Sequence, residues 1–260
     1  PVAGRWRGRR FRAALAALER HGCRIDLRET AAPGDATRIA AEVAAEADVV
    51  VAAGGDGTIN EVLNGLALGV GGAALGIIPL GTANVFAAEI GLGTGPRAVA
   101  AAIARGALRP IHLGRVGDPA DASQPVRLFG LMLGVGFDAR VVAAVTPGLK
   151  RRLGKSAYVL HSLIRMVRYR PAMFTVTVDG VPHTAASALV ANGRFYAGRY
   201  VGAPQARLDR DSFEVCLFTR GGRWNVLRYG AALLFGRLAR LPDFEIVTGR
   251  SLTLSGPAGR

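Results

Sequence analysis

A glycine turn that directly follows a β-branched run constrains this chain more than any other feature. Residues 48–53 form a continuous Val- and Ala-rich run of the kind found in buried parallel strands. Gly54-Gly55-Asp56-Gly57-Thr58 follows at once, and residues 59–68 have the apolar spacing of a helix. A buried strand that enters a helix through a glycine turn is typical of α/β domains with a parallel sheet.

The rest of the chain falls into two halves with different patterns. Apolar spacing predicts further helices over 8–21, 36–47, 85–89 and 98–105, and strands over 23–27 and 75–78. We therefore expect a three-layer α/β domain with a parallel sheet over residues 1–109. Residues 110–260 predict a β-rich domain, because strand-like runs occupy 127–135, 174–179, 187–191, 213–219 and 251–254, with one long helix between Lys150 and Arg170.

The glycine turn has a direct use in binding phosphate. Glycines permit positive φ angles and let phosphate oxygens approach the backbone amides, while the helix N-terminus offers unpaired N–H groups. Asp56 adds a carboxylate, which would repel phosphate unless a divalent cation lies between them or the group orients a hydroxyl. This combination favours phosphoryl transfer over simple anion storage.

A second polar glycine loop, Ile78-Pro79-Leu80-Gly81-Thr82-Ala83-Asn84, follows the next predicted strand. Loops after successive parallel strands gather at one edge of a sheet, so we expect the two loops to face one cleft. Thr58 is placed to cap the helix after the first loop. Asn60 and Glu61 lie in its first turn, where they can reach a nucleotide or hold the loop by capping.

Composition restricts the partners. The formal net charge of +14 attracts anionic partners over the whole surface. Basic residues are not interleaved with aromatic ones and no nucleic-acid motif occurs, so we expect no nucleic-acid partner. The two cysteines and four histidines have no metal-ligand spacing, and a reducing cytosolic compartment fits this usage. No apolar run reaches the roughly 18 to 20 residues of a membrane span.

The two glycine motifs, residues 54–65 and 78–84, resemble the diacylglycerol kinase catalytic family, which includes bacterial lipid kinases and sphingosine and ceramide kinases. The resemblance implies Mg²⁺-dependent transfer of the γ-phosphoryl group of ATP to the hydroxyl of diacylglycerol or a related lipid. It implies that the nucleotide lies across the glycine loops between the two domains, and that a C-terminal β-sandwich receives the lipid.

The resemblance also implies particular site residues. Pro1-Val2-Ala3-Gly4 is similar to the end of the family's first phosphate loop, and Thr30 matches a threonine near the nucleotide. Asp56 is the implied catalytic residue. The implied ATP site comprises Gly4, Thr30, Gly54, Gly55, Asp56, Gly57, Thr58, Asn60, Glu61, Pro79, Gly81, Thr82 and Asn84.

Two departures from the family pattern keep other interpretations open. Asp209 and Asp211 are candidate metal ligands, but Arg210 stands where the family has a second aspartate, and an ordinary polar turn fits equally well. The family's late Asp-Gly-Glu motif does not follow Leu254, so we expect the general base beyond Arg260 and a C-terminally truncated second domain. The alternatives are a catalytically silent lipid- or nucleotide-binding regulatory relative and an NAD kinase-like small-molecule kinase.

A kinase with a lipid substrate has to visit a bilayer, which implies a cytoplasmic protein associated peripherally with the inner face of the membrane. An anionic membrane surface is therefore an expected partner, attracted by a basic stretch on the predicted long helix. This basic stretch comprises Lys150, Arg151, Arg152, Lys155, Arg165, Arg168 and Arg170. The oligomeric state stays open.

Overall fold

The computed structural model describes residues 5–118, 121, 123–136 and 173–256, and the chain divides into two compact units. The first unit comprises residues 1–131 with 197–199, and the second comprises residues 132–196 and 200–260. The long helix predicted between Lys150 and Arg170 lies outside the described residues, as does Gly4.

The first unit is built from alternating helices and strands. β1 and β2 pair in parallel, with Gly54 opposite Pro79 at their carboxyl ends. The elements are α1 (Arg5–Arg20), α2 (Asp35–Val43), β1 (Val49–Gly54), α3 (Asp56–Leu68), β2 (Ala74–Pro79), α4 (Val85–Glu89), α5 (Pro96–Arg105), β3 (Gly114–Val116) and β4 (Arg127–Phe129).

Helices cover both faces of the parallel pair. Ile78 packs in a buried cluster with Leu18 of α1 and Val99 of α5. The adjacent residue Ile77 points to the opposite face of β2 and is buried as well, where α3 contacts the strands and α2 packs on α3. The predicted three-layer α/β arrangement with a parallel sheet is thus confirmed.

Two asparagines of α3 hold the antiparallel β3–β4 hairpin in the first unit. Asn64 Nδ2 donates to Leu128 O at 2.9 Å, and Leu128 N donates to Asn64 Oδ1 at 2.9 Å. Asn60 Nδ2 donates to Leu128 O at 3.2 Å, and Gly130 N donates to Asn60 Oδ1 at 3.3 Å. The first unit runs through this hairpin to residue 131, whereas the change of sequence pattern predicted a boundary at Arg109.

The second unit is β-rich, as predicted. Its strands form a four-stranded antiparallel sheet in the order β12-β11-β8-β5 and a three-stranded one in the order β13-β6-β7. The elements are β5 (Met132–Val135), β6 (Phe174–Val178), β7 (Val181–Ala185), β8 (Ser187–Ala191), β9 (Phe195–Tyr196), β10 (Tyr200–Val201), β11 (Phe213–Phe218), α6 (Arg223–Leu234), β12 (Phe244–Gly249) and β13 (Leu252–Ser255).

The two sheets pack face to face and a helix covers the outside of the larger one. Val176 of β6 and Leu217 of β11 belong to one buried cluster between the sheets. Cys216, which points to the opposite face of β11, packs in a second cluster with Tyr229 of α6. None of the helices in the described part of the chain is long and apolar enough to cross a membrane.

Candidate active site

The glycine turns that follow β1 and β2 are in direct contact. Leu80 N and Gly81 N both donate to Gly54 O, at 2.9 and 3.2 Å. A Cβ atom added to Gly81 would lie 2.5 Å from Gly55 Cα, which leaves no space for a side chain. The structure thus brings the two loops together at one edge of the parallel pair.

The sequence predicted positive φ angles for the glycines of the first turn, but the structure shows none there. Glycine is needed at these positions for close packing or for open space beside the backbone. Gly55 has φ −99° and ψ −176°, and neither Gly54 nor Gly57 has a positive φ. A Cβ on Gly54 would lie 2.5 Å from Thr58 Oγ1. A Cβ on Gly57 would meet no atom within 4 Å, so the first turn of α3 is open beside Gly57.

Asp56 links the two loops through a backbone amide. It is the first residue of α3 and is partly buried. Its Oδ1 accepts a hydrogen bond of 2.9 Å from Phe86 N at the start of α4. A negative charge is favourable at a helix N-terminus, because the macrodipole is positive there. This hydrogen bond uses one carboxylate oxygen and fixes the side chain at the junction of the loops.

Asn84 closes the second loop on itself. It adopts a left-handed conformation, with φ 48° and ψ 50°, at the N-terminus of α4. Its Oδ1 accepts from Gly81 N at 2.7 Å, and its Nδ2 donates to Gly81 O at 3.0 Å. Thr82 lies at the exposed tip of this turn, while Pro79 is buried at its base. The loop is therefore held in shape before any ligand binds.

Glu61 and Asn60 contact the protein around the loops. Glu61 Oε2 accepts from Gly34 N at 3.1 Å, and Glu61 O accepts from Thr37 Oγ1 at 3.0 Å. Both polar atoms of the Asn60 amide bond the β4 segment, as described above. Thr30 is exposed in the connection before α2. The predicted residues that the structure gathers at the loop junction are Gly54, Gly55, Asp56, Gly57, Thr58, Pro79, Gly81, Thr82 and Asn84.

The predicted metal ligands of the second unit are exposed and paired with arginines. Arg207 Nε and Nη2 donate to Asp209 at 2.8 and 2.6 Å, and these hydrogen bonds lower the pKa of Asp209 to about 2. Asp211 Oδ2 lies 3.8 Å from Arg250 Nη1. Among the described residues, no three His, Cys, Asp or Glu side chains form a group that could hold a metal. A cation at Asp209 would have to displace Arg207.

Glu214 is a buried carboxylate that the sequence analysis missed. It belongs to β11 and its Oε2 accepts from Gln205 N and Ala206 N, both at 3.0 Å. The glutamate thus holds the turn that precedes Asp209. The available signal was one acidic residue inside the otherwise apolar run of β11.

Comparisons with known proteins agree with a division of the chain into two units. Residues 1–116 match the family described as the diacylglycerol kinase catalytic domain, and residues 132–259 match the YegS C-terminal NAD kinase beta sandwich-like domain. The fold also resembles a crystal structure of a diacylglycerol kinase from Bacillus anthracis, with a TM-score of 0.73 and 25% identity. That likeness covers 96% of this chain and 80% of the other.

Curated relatives agree. A Pseudomonas putida protein named "probable lipid kinase YegS-like" is 34% identical over 253 residues, which are 94% of this chain and 81% of the relative. A Pseudomonas aeruginosa protein of the same name is 38% identical over 79% of this chain but only 66% of its own length.

Fold, loops and matches together define a protein of the diacylglycerol kinase class, which confirms the resemblance inferred from the two glycine motifs. Within that class, the chain belongs to the YegS-like family.

Proposed function

We propose that this protein is an ATP-dependent lipid kinase that transfers the γ-phosphoryl group of ATP to the hydroxyl of diacylglycerol or a related lipid. The observation that carries the proposal is the contact between two glycine loops around the half-buried carboxylate of Asp56. Family membership supports kinase chemistry, and the names of the relatives support a lipid acceptor.

The first turn of α3 would bind the phosphates of ATP. The first four N–H groups of a helix lack intrahelical partners and carry partial positive charge. The open space beside Gly57 gives an anion access to them. Asn84 holds the second loop in place, so the nucleotide would meet a largely preformed site, which lowers the entropic cost of positioning.

Mg²⁺ would be held by Asp56 together with the phosphates. This cation typically takes one or two carboxylates plus phosphate oxygens and keeps several waters, so it needs no protein cage. The donor set fits, because Asp56 presents a carboxylate whose orientation is fixed by Phe86 N. When bound, Mg²⁺ would neutralise charge on the transferring phosphoryl group. Asp56 would position the metal and the phosphates relative to the lipid hydroxyl.

Two other functions follow from particular observations. The ion pair between Arg207 and Asp209 favours a catalytically silent relative that binds lipid or nucleotide, since it occupies a candidate metal ligand. The second unit matches an NAD kinase beta sandwich-like domain, which supports the alternative of a small-molecule kinase with NAD as the phosphoryl acceptor.

Transfer from γ-labelled ATP to a panel of acceptors distinguishes the three functions. Purified protein is incubated with Mg²⁺ and diacylglycerol, phosphatidylglycerol, sphingosine or NAD, and the products are separated by thin-layer chromatography. We expect label in one lipid, dependent on Mg²⁺. ATP binding without transfer would support the silent relative, and label in NAD would support the small-molecule kinase. The absence of both ATP binding and transfer would overturn the proposal.

A further inference from the structure

The helix α6 exposes a set of large apolar side chains. Trp224, Leu227 and Leu234 are 72%, 43% and 58% exposed, and Phe235, at the C-terminal end of the helix, is 78% exposed. At 3.6 residues per turn, these four positions fall within an arc of about 100° on one side of the helix. These four side chains therefore form one continuous stripe, here called the α6 stripe.

The opposite side of α6 fixes the outward direction of this stripe. Tyr229 is 7% exposed and packs in the buried cluster against the four-stranded sheet, with Ala232 and Leu233 beside it. Its hydroxyl donates to Asp243 Oδ2 at 2.7 Å, and Arg228 forms an ion pair with the same carboxylate. The helix cannot turn the stripe inward without breaking these contacts.

The segment that contains α6 carries positive charge on both sides of the helix in the sequence. Residues 219–242 contain five arginines and no Asp, Glu or Lys. Arg223 lies 5.7 Å from the ring centroid of Trp224. Arg228 is engaged by the buried Asp243, whereas the side chains of Arg220, Arg223, Arg237 and Arg240 are on the exposed surface of the unit.

An anionic bilayer matches this combination better than another protein surface does. Amphipathic helices that lie in the membrane interface carry bulky apolar residues on one side and basic residues around them. Tryptophan is enriched at the depth of the headgroups, and arginine binds lipid phosphates there. A second copy of the chain would place arginines against arginines, which opposes self-association through this face.

We propose that α6 is the membrane-docking face of this protein. The α6 stripe enters the boundary between headgroups and acyl chains, and the flanking arginines bind the phosphates of anionic lipids. This inference rests on the proposed function in one respect: a lipid acceptor gives the protein a reason to bind a bilayer.

Trp224 itself reports on the docking. The chain has two tryptophans, so Trp6→Phe leaves Trp224 as the single fluorophore. With vesicles of phosphatidylcholine and phosphatidylglycerol, we expect a blue-shifted emission and quenching by acyl-brominated lipids. Vesicles of phosphatidylcholine alone should give neither. Protein that sediments with the anionic vesicles while Trp224 stays solvent-like would overturn the proposal.

Substitutions test the two components separately. Leu227→Ser with Leu234→Ser should lower the vesicle partition coefficient by about tenfold or more, because apolar area is lost from the docked state. Leu68→Ser with Val70→Ser is the matched control, since these residues are 74% and 87% exposed in the first unit, and should change nothing.

Neutralising Arg220 and Arg237 to Gln should lower partitioning by about fivefold per residue at low salt. Thermal melting checks that each variant is folded.

Separate readouts distinguish failure of this proposal from failure of the proposed function. Transfer to a detergent-dispersed lipid should be unaffected by the α6 substitutions, while transfer on vesicles falls with partitioning. Absence of transfer in every format would count against the kinase function and leave the sedimentation result standing. Equal partitioning of the α6 and control variants would refute docking through α6. If wild-type protein were a dimer in sedimentation velocity and the stripe substitutions made it a monomer, the α6 stripe would be an interface between two copies of the chain.

Discussion

Gly57 and Gly81 both belong to the loops that we propose bind phosphate, but a side chain would meet different surroundings at each. Beside Gly57 there is open space, whereas a Cβ on Gly81 would lie 2.5 Å from Gly55 Cα and 2.7 Å from Asn84 Oδ1. A substituent at Gly57 would enter the space that we propose for phosphate oxygens. A substituent at Gly81 pushes two backbone segments apart.

Gly57→Val should therefore separate binding from folding. We expect its free energy of unfolding to stay within about 1 kcal/mol of wild type, since the residue has no positive φ and no near neighbour. ATP affinity should fall about a hundredfold, by titration calorimetry, because the methyl groups occupy the phosphate volume. Gly81→Ala is the contrasting variant and should lose about 1–3 kcal/mol of stability as well. Wild-type ATP binding by Gly57→Val would show that phosphate does not lie at this turn.

Asp56 allows a similar separation with two substitutions. Asn retains an oxygen that can accept the hydrogen bond from Phe86 N but removes the charge, whereas Ala removes both. We expect Asp56→Asn to melt like wild type and to lose phosphoryl transfer, and Asp56→Ala to lose about 1–2 kcal/mol of stability in addition. Denaturant unfolding and the transfer assay measure the two quantities. Retained turnover in Asp56→Asn would exclude the carboxylate from the transfer site.

Among the elements, we expect the clamp of Asn64 on β4 to contribute to stability and not to nucleotide binding. Its amide pairs both backbone polar groups of Leu128. Asn64→Ala would leave Leu128 N without that partner, while Leu128 O would keep Asn60, so the variant should cost about 1–3 kcal/mol in unfolding free energy. Asn225→Ala, which removes a single local bond to Gly221 O, should cost less than half as much. ATP affinity should be unchanged in both, and a large loss in Asn64→Ala would place this asparagine near the nucleotide.

The contact between Tyr229 of α6 and Asp243, the residue before β12, predicts an alkaline pH dependence. Burial, followed by the hydrogen bond to Asp243, raises the pKa of Tyr229 to about 12 from an ordinary value of 10. Because the phenol has a higher pKa in the folded state, its stabilisation of the fold is fully present below the pKa of the unfolded state. That stabilisation is lost as pH rises through the pKa of the folded state. Stability should therefore decline between about pH 10 and 12. Tyr229→Phe should remove that part of the decline, and a tyrosinate absorbance difference titration should assign the high pKa to this residue.

Local pattern determined which elements could be predicted from sequence. The strand–turn–helix at 48–68 was correct because strand burial, glycines and helical spacing agree there, and β8 was predicted with its observed bounds. β7 was missed, because Pro182 weakens its strand pattern and it survives as an edge strand. α6 was missed because it carries apolar residues on both its buried and exposed sides. The sequence did not show that the side chains of Asn60 and Asp209 are bonded to other groups of the protein, because these partners are brought near only by the tertiary fold.

Across the whole molecule, net charge and the α6 stripe should act on different steps of membrane binding. A charge of +14 accelerates encounter with an anionic surface over distances of about a Debye length, roughly 10 Å at moderate salt, and salt screens it. Apolar insertion acts only after contact, so it slows dissociation.

Stopped-flow mixing with anionic vesicles, followed through Trp224, should resolve these two steps. The change of Lys150, Arg151, Arg152 and Lys155 to Gln should lower the association rate at low salt and have little effect at high salt, since it removes long-range attraction. Leu227→Ser with Leu234→Ser should leave association nearly unchanged and raise the dissociation rate by about tenfold. If the charge change altered only dissociation, or the leucine changes only association, attraction and docking could not be assigned to these separate features of the chain.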